Sequence, residues 1–256
     1  MIGGSFVVTA VVFVCLMAGA VGGMWLRLAL PQHHLGSDST DVIKLVTGLM
    51  GTLAALVLSL LISSANSAHI AVKNEFQQSL ADIVLLDRYL ADYGRETGEI
   101  RTQIRHVAAR RLQAIWPSEN FGPPETGGAD IDRAIEGIEK QILALSPQTQ
   151  AQNWFQARAL ATIATLAQVH WVLVAQRSGD ALPTPMLVVL ICWTTAIFVS
   201  FGLLTKRNFT IFVCLAIAAA AVAGAIFLIL ELDSPFTGLM HISSAPAHLA
   251  LALLGQ

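Results

Sequence analysis

The chain has 256 residues, 55% of them hydrophobic and only 12% charged, with 15 Lys and Arg against 17 Asp and Glu for a formal net charge of −2. Soluble domains carry about a quarter charged residues, so this composition, with a mean hydropathy of +0.64, describes a membrane protein. The near-balance of charge supplies no basic field to gather nucleic acid or an anionic lipid surface.

The opening MIGGSFVVTAVVFVCLMAGA resembles a signal peptide, but it lacks a basic leader and its apolar run continues to Leu30, so it reads as a retained helix. Four segments, Phe6–Leu30, Leu45–Ala65, Met186–Leu204 and Phe209–Leu230, approach the ~20 residues needed to cross a hydrocarbon core of ~30 Å. Each is expected to be helical, because a lone strand leaves its backbone groups unpaired in lipid. In the first connection, PQHHLGSDSTD, Pro31 ends one helix and the Ser37–Asp41 cluster can cap the next.

Between the second and third spans the residues read as helix throughout. Leu80, Ile83, Val84, Leu86, Leu90 and Tyr93 recur at helical spacing before Gly94; Ile100, Ile104, Val107, Leu112 and Ile115 do so before Trp116-Pro117. PSENFGPPETGG, Pro117–Gly128, is a turn-rich linker, and helices over Ala129–Leu145 and Thr149–Gln176 follow it. No polar linker follows Ala65, which predicts that the second span continues past the membrane surface as one helix. The TKRN connection, Thr205–Asn208, is short enough to predict that the third and fourth spans form one antiparallel, adjacent hairpin. The AIAAAAVAGA run of the fourth span permits close helix contact. The expected organisation is a first transmembrane hairpin over 1–65, a helical water-soluble domain over 66–181, a second transmembrane hairpin over 182–233 and an interfacial segment over 234–256.

Few constellations carry chemistry. Cys15, Cys192 and Cys214 lie in apolar runs without paired spacing and read as buried apolar filler. The seven histidines are scattered, with only His33 and His34 adjacent, so no metal set is expected, and His106 and His170 read as packed or solvated. There is no nucleophile elbow, phosphate-binding loop, zinc-protease motif or dinucleotide fingerprint. No enzymatic activity and no cofactor are expected. Asp87, Arg88, Asp92, Arg95, Glu99 and Arg105 are spaced to form pairs on a solvated or inter-helix face rather than an ion-binding vestibule.

The second span is more informative. Gly48, Thr52, Ala55, Ser59, Ser63 and Asn66 follow steps of three and four and share one face, small and polar, whereas Leu49, Leu53, Leu56, Val57, Leu60 and Leu61 form a bulky apolar side. Such a stripe is either a seam of tight helix packing or a water-facing pore wall. Thr52, Ala55, Ser59, Ser63 and Asn66 are the candidate pore-lining residues. The fourth span ends in ELDSPFTG, where Glu231 sits at the negative end of a helix, a poor place for a carboxylate. It needs a cation or backbone N–H, expected from the soluble domain, unless the motif is a simple solvated turn. Ser234-Pro235 can cap and start a new short helix there.

KLVTGLMGTLAALVLSLLISSANSA, Lys44–Ala68, with LLDRYLADYG, the LPTP lead-in to the third span and LILELDSPFTGLMHIS, resembles the bestrophin-like family of bacterial membrane proteins, over about Asp41 to Leu254. That family is in turn similar to bestrophin anion channels, which have two membrane hairpins flanking a helical cytosolic region and five subunits around one pore. The resemblance implies an all-α membrane protein of four transmembrane helices, a homo-oligomer of five subunits in a lipid bilayer, and small anions such as chloride or bicarbonate as what passes. The pointed local similarity is an acid followed by Pro-Phe after the fourth span, here Glu231, Asp233, Pro235 and Phe236.

Counting charges near the span ends sets Lys73 and Arg177 on the insert side against Arg27, Lys44, Lys206 and Arg207 opposite, which weakly favours an outside insert. The resemblance implies the reverse, with the central domain and both termini cytoplasmic at the inner membrane, and it is preferred. Animal bestrophins carry further acids after Pro-Phe that help hold calcium; TGLMHISSAPAHLA has none, so no calcium clasp is expected. The face of the second span that would line a pore is left open. The alternative function is a non-conducting membrane scaffold or sensor whose cytosolic helices bind a partner.

Overall fold

The computed structural model describes residues 2–31, 36–117, 119, 121, 128–178, 184–205, 208–236 and 238–255. His33, His34, Lys206, Arg207, most of the Pro117–Gly128 linker and the Leu182-Pro183 lead-in lie outside the described residues, as does the side chain of His170. Among the described residues the regular structure is entirely helical: α1 (Ile2–Ala29), α2 (Ser37–Tyr93), α3 (Gly98–Ile115), α4 (Gly128–Leu143), α5 (Gln150–Ser178), α6 (Thr184–Leu204), α7 (Phe209–Leu232) and α8 (Ala245–Leu253), with a 3-10 turn at Arg95–Thr97. α1, α6, α7 and a stretch of α2 are long and apolar enough to cross a membrane. α2 runs 57 residues without a break at Ala65-Asn66, about 85 Å at 1.5 Å per residue, as the missing linker led one to expect.

Two compact units result, one of residues 1–70 and 180–241, the other of residues 71–179 and 242–256. In the first, α1 lies against both α6 and α7. The cause is a run of small residues: a Cβ at Gly23 would collide with the backbone of Val199 and Leu203, and one at Gly202 with the backbone of Ala20 and Met24. Only hydrogen atoms fit between these two helices, which brings their backbones into van der Waals contact. Gly224, in the run expected to make the close contact, has open space instead. Val12, Leu16 and Ala20 of α1 meet Leu215, Ala219 and Ala223 of α7 in the adjoining core.

The three cysteines depart from expectation: Cys15, Cys192 and Cys214 are all exposed. In a membrane protein the outside of the bundle is as apolar as its inside, so an apolar run does not by itself mean burial within the protein.

The second unit has a soluble core. Leu86 and Leu90 of α2 pack with Ile104 of α3, Ile142 of α4 and Ile163 of α5. α2 ends where Gly94 adopts a φ of 141°, a conformation that strains any side chain. Buried Thr97 then ties the turn, its hydroxyl 2.5 Å from the Leu90 carbonyl and 2.8 Å from that of Gly94. Asp87 takes the inter-helix alternative: it is buried and accepts two hydrogen bonds from Arg101 of α3, from Nε at 2.8 Å and Nη2 at 2.9 Å. The bond to Asp87 holds the Arg101 guanidinium pKa above its usual value, against the opposing effect of burial. Asp87 also accepts from the Gly255 N–H at 3.2 Å. That bond fastens the end of the chain after α8, whose Ala247 and Ala250 are buried. Of the set expected on the helix surface, Arg88, Asp92, Arg95, Glu99 and Arg105 are exposed.

Two outcomes follow. Gly23→Ala should lower stability by about 1–3 kcal/mol because backbone has to move, whereas Gly22→Ala, with nothing within 4 Å, should leave the detergent melting curve in place. Asp87→Ala strands a partly buried guanidinium and should cost about 3–5 kcal/mol; adding Arg101→Met should recover most of it, as read by denaturation of single and double variants.

Candidate functional site

α2 packs inside the first unit through a narrow face. Thr47, Ala54, Leu61 and Ala65 are buried, and the last three of these pack with Leu190 and Ile197 of α6 and Ile229 and Leu232 of α7. At about 100° per residue, Thr52, Ala55, Ser59, Ser63 and Asn66 fall on another arc of the helix, and all five are exposed. The neighbouring arc is exposed too, with Leu49, Leu56 and Leu60 each more than half accessible. The small polar stripe is therefore not a packing seam within the protomer.

The hydroxyls on this helix differ in what they do. Thr52 turns back and donates to the Leu49 carbonyl at 2.8 Å, and buried Thr47 does the same to Ile43 at 2.7 Å. Ser59, Ser63 and Asn66 have no hydrogen-bond partner among the described residues. A serine can swing onto the carbonyl of the preceding turn, but an asparagine amide has two donors and an acceptor to satisfy. Lipid satisfies none of them.

One turn further on, His69 Nδ1 lies 3.3 Å from the Leu232 carbonyl. A carbonyl only accepts, so the ring carries its proton on Nδ1. This bond ties α2 to the last turn of α7, beside Glu231. The carboxylate of Glu231 is almost wholly buried, and its Oε2 accepts the Leu239 N–H at 2.6 Å. The compensation for an acid at the negative end of a helix thus comes from the loop that follows, and the expectation of a partner on the soluble domain gives way to this bond. The chain leaves the helix as a turn, Ser234 N–H reaching the Glu231 carbonyl at 3.1 Å. Ser234-Pro235 starts no helix; the next begins at Ala245, with Pro246 in its first turn. Asp233 is exposed, and Pro235 and Phe236 are half-buried.

Gly238 is the residue of this loop that reading the motif missed. Its φ is 94°, and a Cβ there would run into the Glu231 carboxylate. The signal was a glycine one residue before the N–H that the acid takes. Gly238→Ala should cost about 1–3 kcal/mol through backbone strain alone, more with the clash, and should speed proteolysis between Asp233 and His241; an unchanged digestion pattern would count against the Glu231 lock.

Four apolar helices, an outward polar stripe on the second and a buried acid closing the loop after the last are the features to compare with known proteins. No curated protein matches the sequence. Among solved structures, a point-mutant bacterial bestrophin homologue from Klebsiella pneumoniae aligns with a TM-score of 0.69 at 13% identity, covering 95% of this chain and 98% of that one. At that identity the likeness speaks for the fold, an all-helical bestrophin fold. The family profile of the bestrophin-like domain matches residues 14–247, and by that match the chain belongs to the bestrophin-like family of membrane proteins.

Proposed function

We propose that this protein is one subunit of a homo-oligomeric, pentameric passive channel for small anions such as chloride or bicarbonate. Its α2 spans stand around the axis with Thr52, Ala55, Ser59, Ser63 and Asn66 toward the lumen, and the second unit and both termini lie in the cytoplasm at the inner membrane. The observation that carries this reading is the exposed polar stripe of α2, whose Ser59, Ser63 and Asn66 find no hydrogen-bond partner among the described residues. Facing lipid, a polar group without a hydrogen bond costs several kcal/mol; facing a lumen, it meets water. Hydroxyl and amide N–H groups offer an anion donors in place of its hydration shell, and no fixed cation is needed for that. The Glu231 loop and the His69 bond hold the cytoplasmic end of α7 against α2 and so set where the stripe ends.

Chloride efflux from liposomes holding the purified protein, measured beside its mass in native detergent micelles, tests the proposal. Flux from an oligomer is the expected result, and a well-formed oligomer without flux would move the assignment to a scaffold. Ser59→Trp should cut flux at least about tenfold by occluding the constriction while the oligomer persists. If the oligomer dissociates instead, the stripe is a seam between subunits.

A further inference from the structure

The second unit contains a void where α2, α3, α4 and α5 meet. It measures about 50 Å³, and its wall includes Ile83, Leu86, Val107, Ile138, Ile163 and Arg111. The remaining lining residues are aliphatic as well, so among the described residues Arg111 supplies the wall's one charged side chain. The volume is several times what one water requires, but a buried water also needs two to four polar partners. Among the described residues this wall offers it the Arg111 side chain alone. An apolar space of this kind gains dispersion contacts when an aliphatic group enters.

The arginine adds a second requirement. A guanidinium is a planar fork that matches a carboxylate through two parallel hydrogen bonds. It has five N–H donors, to be shared between the contacts Arg111 already makes and a ligand. Its side chain is half-buried, so the charged end of a ligand would remain near water while the tail lies inward. The space is far smaller than the several hundred Å³ of drug-sized sites, which limits the tail to a few carbons.

We propose that this cavity binds a short-chain aliphatic carboxylate, its tail among Ile83, Val107, Ile138 and Ile163 and its carboxylate on Arg111. Such a ligand bridges four helices of the second unit and stabilises their arrangement by binding the folded state alone. The site is independent of ion conduction and stands or falls separately from it.

Hexanoate is the probe, with hexan-1-ol as its uncharged counterpart, each titrated into the full-length protein in detergent and followed by calorimetry and thermal unfolding. Hexanoate is expected to raise Tm saturably and hexan-1-ol to bind more weakly. Ala108→Leu, which grows a side chain from the cavity wall into the void, should abolish the hexanoate shift. Arg111→Met should weaken hexanoate about tenfold, the loss of a charge-assisted pair, and leave hexan-1-ol unchanged. An equal hexanoate shift in Ala108→Leu would reveal an effect on the micelle and overturn the proposal, as would the absence of any heat or shift. Should Ala108→Leu fail to fold, undiminished hexanoate binding by Arg111→Met is the overturning result.

Discussion

Hydrocarbon offers no hydrogen bonds, and that constraint explains where the polar groups of the membrane helices stand. Most return to their own backbone. Thr9 bonds Ser5, Thr47 bonds Ile43, Thr52 bonds Leu49, Thr194 bonds Leu190 and Ser200 bonds Ala196, each through a hydroxyl to the carbonyl three or four residues back. Glu231 has too much charge for that solution and takes a backbone N–H from the loop after α7. Ser59, Ser63 and Asn66 have neither solution among the described residues. They share one exposed arc of one helix, so a single additional surface or lumen outside the protomer would satisfy all of them at once.

The same constraint changes what burial means. The first unit gains nothing from hiding apolar side chains from lipid, so its helices associate where shape allows close approach. Gly19, Gly23 and Gly202 make α1 and α6 the tightest such place, while exposed Leu49, Leu56 and Leu60 face outward at no cost. The second unit obeys the opposite rule: its aliphatic residues collect into a core, and its most deeply buried carboxylate among the described residues, Asp87, is bound to Arg101 and to the Gly255 N–H. α2 meets both rules in one uninterrupted helix. Its Ala54 and Leu61 belong to a membrane core, its Leu86 and Leu90 to a soluble one.

The aliphatic void with Arg111 on its wall sits in that soluble core. Chemistry separates it from the polar stripe of α2: the stripe is small and neutral, the cavity greasy with a cation.

Much of the plan was legible from local pattern. The four spans, the uninterrupted second helix and the helices on either side of Gly94 follow from apolar periodicity and its punctuation, which depend on neighbours a few residues apart. The small face of α2 was legible for the same reason, but whether it packs or stays exposed was not, because that depends on which helix arrives from a distant part of the chain. The tertiary structure decided that α1 lies against both α6 and α7, that the cysteines face outward, that Asp87 pairs with Arg101 fourteen residues on, and that Glu231 is satisfied by Leu239. Each of these turns on one atom meeting another across a fold, and residue type and spacing carry no information on that meeting.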